Sequence, residues 1–223
     1  MANASIFDIL INKKLVVFDF DGVIVDSVNI KTEAFAEIYK PFGQRIVDQV
    51  ITHHINNGGM SRFKKFKHYH NQFLNKSIDD DEIENMSREF SNIVVTRVIS
   101  SKWIIGVTEF LEKLYYKNIN CVIISATPEE ELHQIVKERK IEKYFSLIFG
   151  SPVSKLDNLK KALTESHVSN NDAIFFGDAM ADWEASDKMD VQFVGVGDSI
   201  WDLLKEKKRD LYFIKNFEIF NDF

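Results

Sequence analysis

The chain has 223 residues, of which 45% are apolar and 28% charged, and its formal net charge is −6. That length supports a core without a disulfide or metal staple, and the composition excludes a disordered tail or a fibrous repeat. The negative balance argues against a nucleic-acid surface, and the single cysteine, Cys121, excludes a disulfide framework and suits a reducing compartment.

No apolar run approaches the ~18–20 residues needed to span a bilayer, so no membrane partner is expected. The opening MANASIFDILINKKLVVF has no basic segment leading into an apolar one. A signal peptide is not expected, and a cytoplasmic monomer or homodimer is the default. The 19 Phe, against 3 Pro and 9 Gly, suit long helices and a large core rather than a loop-rich sandwich.

In chain order, the first apolar run is Leu15–Phe20. No strand pattern follows between about Val28 and Ile99, where residues 31–40, 61–76 and 78–98 read as helical. The segment 61–76 carries Arg62, Lys64, Lys65, Lys67 and Lys76 and no acidic residue; 78–98 opens on Asp79, Asp80, Asp81 and Glu82, which suits a helix N-terminus. Val107, Phe110, Leu111 and Leu114 then follow helical spacing. A second strand is expected at Ile119–Ser125. Glu129–Lys140 reads as a helix with Thr127 as its N-cap and Pro128 at its first position. Further strands are expected at Leu147–Gly150, Ala173–Gly177 and Val191–Val196, and a weaker one at Leu211–Ile214, with a helix marked by Leu156, Leu159 and Leu163. Near-continuous apolar strands are those of a parallel sheet buried on both faces. Strands alternating with helices predict an α/β fold, a Rossmann-like doubly wound parallel sheet. Residues 1–27 and 100–223 are its core, and 28–99 form an inserted helical domain.

Ligands in open α/β sheets bind beyond the carboxyl ends of the strands. There the sequence places Asp19, Asp21 and Gly22; Ser125, Ala126 and Thr127; Lys155; and Gly177, Asp178 and Asp182. Taken singly, each is ordinary: an Asp at a turn, a helix cap, a surface lysine. Together they crowd carboxylates at one edge, which repel unless a cation lies among them. Oxygen ligands of this kind suit Mg²⁺ completed by substrate phosphate.

The motifs Asp19-Phe20-Asp21-Gly22-Val23-Ile24-Val25, Ser125-Ala126-Thr127, Lys155 and Gly177-Asp178-Ala179-Met180-Ala181-Asp182 resemble those of the haloacid dehalogenase (HAD) superfamily of phosphohydrolases. The resemblance covers almost the whole chain. Lys160 and Lys161 compete with Lys155 for the lysine motif. The insert, Asp26-Ser27 and Gly106-Val107-Thr108-Glu109-Phe110-Leu111 resemble the phosphoglycolate phosphatase-like and β-phosphoglucomutase-like branch with its helical C1 cap. Ile105 departs from it, since many relatives place Pro there.

The resemblance implies that Asp19 attacks phosphorus and that Asp21 protonates the leaving group and then assists water. It implies Mg²⁺ held by Asp19, the Asp21 carbonyl and Asp178, with Asp182 acting through water or by fixing Lys155. Ser125, Ala126, Thr127 and Lys155 would bind the phosphoryl oxygens. The expected activity is a Mg²⁺-dependent phosphatase of a small phosphorylated metabolite, phosphoglycolate or a sugar phosphate. A phosphomutase and a catalytically idle binding protein are the alternatives. A dehalogenase is disfavoured because that branch lacks the second motif aspartate, here Asp21.

In the insert, Gly58-Gly59-Met60-Ser61-Arg62 reads either as a plain interhelical turn or as a loop that reaches the site, with Arg62 binding substrate through its planar fork. Lys64 and Lys67 read as a solvated helix face. Phe63, Phe66, Tyr69 and Phe73 follow helical spacing and are expected in the core. His53, His54, His68 and His70 lack i, i+4 metal spacing, and Gly195-Val196-Gly197 is a weak dinucleotide signal.

Overall fold

A computed structural model describes residues 6–204 and 211–223. The chain begins with α1 (Ile6–Leu10) and β1 (Leu15–Phe18). Four insert helices follow: α2 (Val28–Tyr39), α3 (Gln44–Asn56), α4 (Arg62–Phe73) and α5 (Asp80–Ser100). After α6 (Val107–Tyr116), strands and helices alternate as β2 (Asn120–Pro128), α7 (Glu129–Glu138), β3 (Leu147–Ser151), α8 (Lys155–Glu165) and β4 (Ala173–Gly177). The chain continues through α9 (Met180–Lys188), β5 (Gln192–Val196), α10 (Asp198–Leu204) and β6 (Tyr212–Ile214). The described strands make one six-stranded sheet in the order β3-β2-β1-β4-β5-β6, and every neighbouring pair is parallel. This is the α/β class expected from the sequence.

Every residue of β1 is fully buried, because the strand is central and covered on both faces. Val16 and Phe18 face the layer that contains α6 and α7; Leu15 and Val17 face the layer that contains α8 and α9. Phe18 packs with Phe110, Phe145, Phe176 and Phe217 at centroid distances of 5.4–6.3 Å. The many phenylalanines therefore fill a core rather than a surface.

The strand ends differ from expectation where the site begins. β1 stops at Phe18, not Phe20, since the backbone there leaves the ladder to carry Asp19 and Asp21. β2 runs beyond Ser125 to Pro128, because after a register shift it pairs again with Ser151 of β3. Thr127 therefore lies in the strand and does not cap α7, whose N-cap is Pro128. Its hydroxyl is turned to Asp21 instead. The helix α3 is not singled out by the sequence patterns, although Val47, Val50 and His54 line its buried side.

The insert has an aromatic centre. Phe35 of α2 meets Phe66 and Tyr69 of α4 and Phe90 of α5 at 5.5, 5.7 and 4.5 Å between centroids. Asp79 and Glu82 form a reciprocal capping box that fixes the start of α5. The two connections to the core run side by side: Asp26 N–H donates to Lys102 O (2.9 Å) and Ile104 N–H to Ile24 O (3.0 Å). Arg139 of the core stacks on Trp103 at 3.6 Å and donates to the carbonyls of Val98, Ile99 and Ser101, which closes the C-terminal end of α5.

Arg62 has protein partners that the sequence did not indicate. It opens α4, so its side chain runs back along the helix and meets α7 of the core. Its guanidinium donates to Glu131 (2.6 Å), to the Ser91 hydroxyl (2.7 Å) and to the Ser87 carbonyl (3.3 Å). It also lies 4.5 Å from the Phe90 ring centroid. With side-chain exposures of 4% and 8%, Arg62 and Glu131 form a buried ion pair joining insert to core. The fork is engaged by protein groups, while Arg62 also lines the cavity between insert and core.

Removing one member of such a pair leaves a buried charge unpaired, at a cost of about 3–5 kcal/mol, while replacing both by apolar residues costs far less. Arg62→Met is therefore expected to lower the unfolding free energy by an amount in that range. The Arg62→Met/Glu131→Leu double variant is expected to be more stable than Arg62→Met alone. Denaturant unfolding of the parent, the two single variants and the double variant checks this, and losses that simply add would show that the pair is not coupled.

Candidate active site

The sheet order places the carboxyl ends of β1, β2, β3 and β4 next to one another. Asp19 and Asp21 follow β1, Ser125, Ala126 and Thr127 end β2, Lys155 opens α8 after β3, and Asp178 follows β4. All of them line one cavity of about 580 Å³ between the sheet edge and the insert. Asp182, fully buried, stands behind Lys155.

Lys155 is the electrostatic hub. Its ammonium donates to Asp19 Oδ2 (2.6 Å) and Asp182 Oδ1 (2.5 Å). Burial opposes its charge, but Asp182 and Asp19 outweigh burial and hold its pKa above the usual lysine value. Ser154 caps α8 by accepting from the Asp157 N–H, which fixes the turn that aims Lys155 inward. Lys160 and Lys161 are more than half exposed and face Asp157 and Glu165 on the outside. The competition for the lysine motif is thus resolved by position.

The other oxygen of Asp19 accepts from the Phe20 N–H at 2.6 Å. Both oxygens of Asp182 are engaged, one by Lys155 and the other by the Ala179 N–H (3.1 Å). Asp182 therefore fixes Lys155 directly. Ser125 Oγ accepts from the Thr127 N–H at 3.1 Å, so the hydroxyl shapes the irregular end of β2 that faces the cavity.

Asp178 has no ion pair of its own among the described residues, and one oxygen each of Asp19, Asp178 and Asp182 falls within a 4.8 Å span. Burial, then the neighbouring Asp19 and Asp182, push the Asp178 carboxyl well above the usual range. Such crowding is relieved by a cation, and an all-oxygen set with room for water fits Mg²⁺. Gly22 makes the approach possible: at φ +81°, a Cβ there would lie 2.0 Å from Asp178 Oδ2.

Asp21 has partners the sequence did not disclose. Its carboxylate accepts from Ser27 (2.5 Å), from Thr127 (3.0 Å) and from the ammonium of Lys31, which also reaches Thr127 Oγ1 at 2.8 Å. Burial would raise its pKa, but Lys31 and these hydrogen bonds hold it below the usual value. Asp21 is thus a carboxylate in this arrangement. Lys31 lies one helical turn after Ser27, so both face the same loop; that spacing was the available signal.

The roof is the insert. At Gly59 an added Cβ would lie 2.7 Å from Ala181 Cβ and 3.6 Å from Lys155 Nζ, so the Gly58-Gly59 turn rests on the start of α9. That turn therefore lies against the site, while the Arg62 fork is engaged by Glu131. Lys65 and His54 also line the cavity and are buried. Lys64 and Lys67 are exposed, and Phe66 and Tyr69 are core residues. His53 stacks on His68 at 4.1 Å, and His70 pairs with the Tyr39 hydroxyl.

Residues 16–196 match the model of the haloacid dehalogenase-like hydrolase family. A phosphoglycolate phosphatase from Pseudomonas aeruginosa is 26% identical over 175 residues, 76% of this chain and 64% of the relative. One from Pseudomonas savastanoi pv. phaseolicola is 27% identical over 180 residues, 78% of this chain and 65% of the relative. The chain thus spans just under two thirds of each. In fold, a crystal structure of β-phosphoglucomutase from Clostridium difficile superposes with a TM-score of 0.76 at 20% identity, covering 93% of this chain and 92% of that one.

Gly22→Ala tests the close approach of the first loop to Asp178. The new methyl must displace the carboxylate, and a misplacement of about 1 Å in such a site costs about 10²-fold. Activity is expected to fall by roughly that factor and divalent-cation affinity to weaken, with the far-ultraviolet circular dichroism unchanged. A variant that binds a divalent cation as tightly as the parent would show that Gly22 does not position Asp178.

Proposed function

The chain belongs to the haloacid dehalogenase-like hydrolase family, and we propose that it is a Mg²⁺-dependent phosphatase of a small phosphorylated metabolite. Phosphoglycolate and sugar phosphates are the leading substrate class, and the setting is cytoplasmic. The observation that carries this reading is the buried Asp19, Lys155 and Asp182 relay at the floor of a roofed cavity, with Asp178 beside it. The substrate class is supported by the names of the two Pseudomonas relatives.

In the first step an Asp19 carboxylate oxygen bonds to phosphorus and the bond from phosphorus to the leaving oxygen breaks. Lys155 offsets the charge that spreads over the phosphoryl oxygens while Asp182 keeps its ammonium in place. The departing alkoxide takes a proton from the Lys31 ammonium, relayed through the Asp21 carboxylate that accepts from it. In the second step the Asp21 carboxylate takes a proton from water as that water attacks phosphorus and passes it to Lys31, which restores the ammonium. Phosphate leaves and Asp19 is restored. A Mg²⁺ ion held by Asp19, Asp178 and the Asp21 carbonyl would offset the charge on Asp19 and the phosphoryl group. The insert excludes bulk water and reads the leaving group.

Asp19→Asn keeps the shape but removes the nucleophile, and turnover is expected to fall by about 10³-fold or more. Chelation by EDTA is expected to abolish phosphate release and added Mg²⁺ to restore it. Phosphate release measured over a panel of phosphomonoesters checks both. Turnover by the Asp19→Asn variant within a few-fold of the parent, or full activity in EDTA, would overturn the reading. Isomer formation without phosphate release would identify a phosphomutase instead.

A further inference from the structure

Among the described residues, Lys65 is the buried cation without a carboxylate partner. Lys155 has Asp19 and Asp182, and Arg62 has Glu131. The Lys65 side chain, on a residue only 1% exposed, donates from Nζ to His54 Nδ1 at 2.7 Å. His54 is neutral: burial, then Lys65 and Lys31, depress its pKa to about 3. Accepting at Nδ1 places its proton on Nε2. Both residues line the roof of the cavity whose floor holds Asp19 and Lys155.

We propose that Lys65, oriented by His54, is the subsite for a second anionic group on the leaving-group side of the substrate, a carboxylate or a second phosphate. This rests on the phosphatase reading. Over a neutral leaving group, the closed roof buries an ammonium with only an imidazole beside it, and a buried unpaired charge is costly. Over an anionic one, the same ammonium gains a charge-assisted hydrogen bond. The transferred phosphoryl group does not meet this need, because it lies at the floor with Lys155. Consistent with an unmatched cation, burial and the repulsion of Lys31 and Lys155 outweigh Asp21 and depress the Lys65 pKa to about 7.

The test compares substrates that differ only in the second anion. One pair is 2-phosphoglycolate and ethylene glycol monophosphate, with a hydroxymethyl group in place of the carboxylate. The other is a sugar bisphosphate and its monophosphate. The parent enzyme is expected to favour the doubly anionic member of one pair by about ten- to a hundred-fold in kcat/KM, and the pair concerned names the anion. Lys65→Met is expected to reduce that ratio to within about threefold, mainly through KM, while Lys65→Arg retains most of it.

In the carboxylate pair, the preference is expected to decline as pH rises through about 7, as the ammonium is lost. His54 of α3, Lys31 of α2, and Asp21 and Lys155 of the core also face Lys65. They act on both members of the pair and largely cancel in the ratio. Phosphate release without preference in either pair overturns the assignment from the parent enzyme alone, whether or not the variants fold. A preference that survives in folded Lys65→Met does so too. No release from any of the four compounds would instead sink the phosphatase reading, and this assignment with it.

Discussion

The molecule is organised around a repulsion. Asp19, Asp21, Asp178 and Asp182 meet at one edge of the sheet, where burial removes the water that would screen them. Such a cluster folds only if cations are built in opposite it. Lys155 serves Asp19 and Asp182, and Lys31 serves Asp21. Among the described residues Asp178 is left without an ion pair, which is the strongest structural argument for an added divalent cation. The chain thus carries part of its own neutralisation and leaves the remainder to what it binds.

The core half of this arrangement was legible in the sequence. Short apolar runs mark strands buried on both faces, and the polar residues that follow each run lie at the carboxyl edge. Asp19, Asp21, Ser125, Thr127, Lys155, Asp178 and Asp182 come together for that reason. Strand topology alone brings residues as distant as Asp19 and Lys155 to within 2.6 Å. The errors were local, such as the Thr127 cap, lost because β2 pairs again with β3 beyond the point where the apolar run ends.

The insert half was less legible, because helical spacing gives a face but not the neighbour that face meets. Arg62 looked free because it followed two glycines, yet its partner, Glu131, is 69 residues away on a core helix. Lys65 reads in the sequence as one of several basic residues. A signal was nevertheless present: Arg62, Lys65, Phe66 and Tyr69 stand at i, i+3, i+4 and i+7, on one stripe. Two cations on the stripe that also carries buried aromatics must be paired or face a cavity. Lys64 and Lys67, off that stripe, are exposed.

The contact between insert and core follows from the same charges. The insert supplies Lys31 to Asp21 and Arg62 to Glu131, so two of the links across the cavity rim are ion pairs. A buried ion pair adds little net stability compared with apolar packing of the same volume, but its members can be rehydrated when they separate. An apolar seam would instead expose surface that costs about 25 cal/mol per Å². Charged links of this kind hold the roof in register and, under the proposed function, would let it open for substrate entry and phosphate release. Under the proposed assignment Lys65 completes the logic, since among the described residues it is the buried roof cation without a carboxylate partner. On that assignment the closed state is most favourable when the cavity holds an anion there, and recognition of the leaving group and closure of the roof become the same electrostatic event.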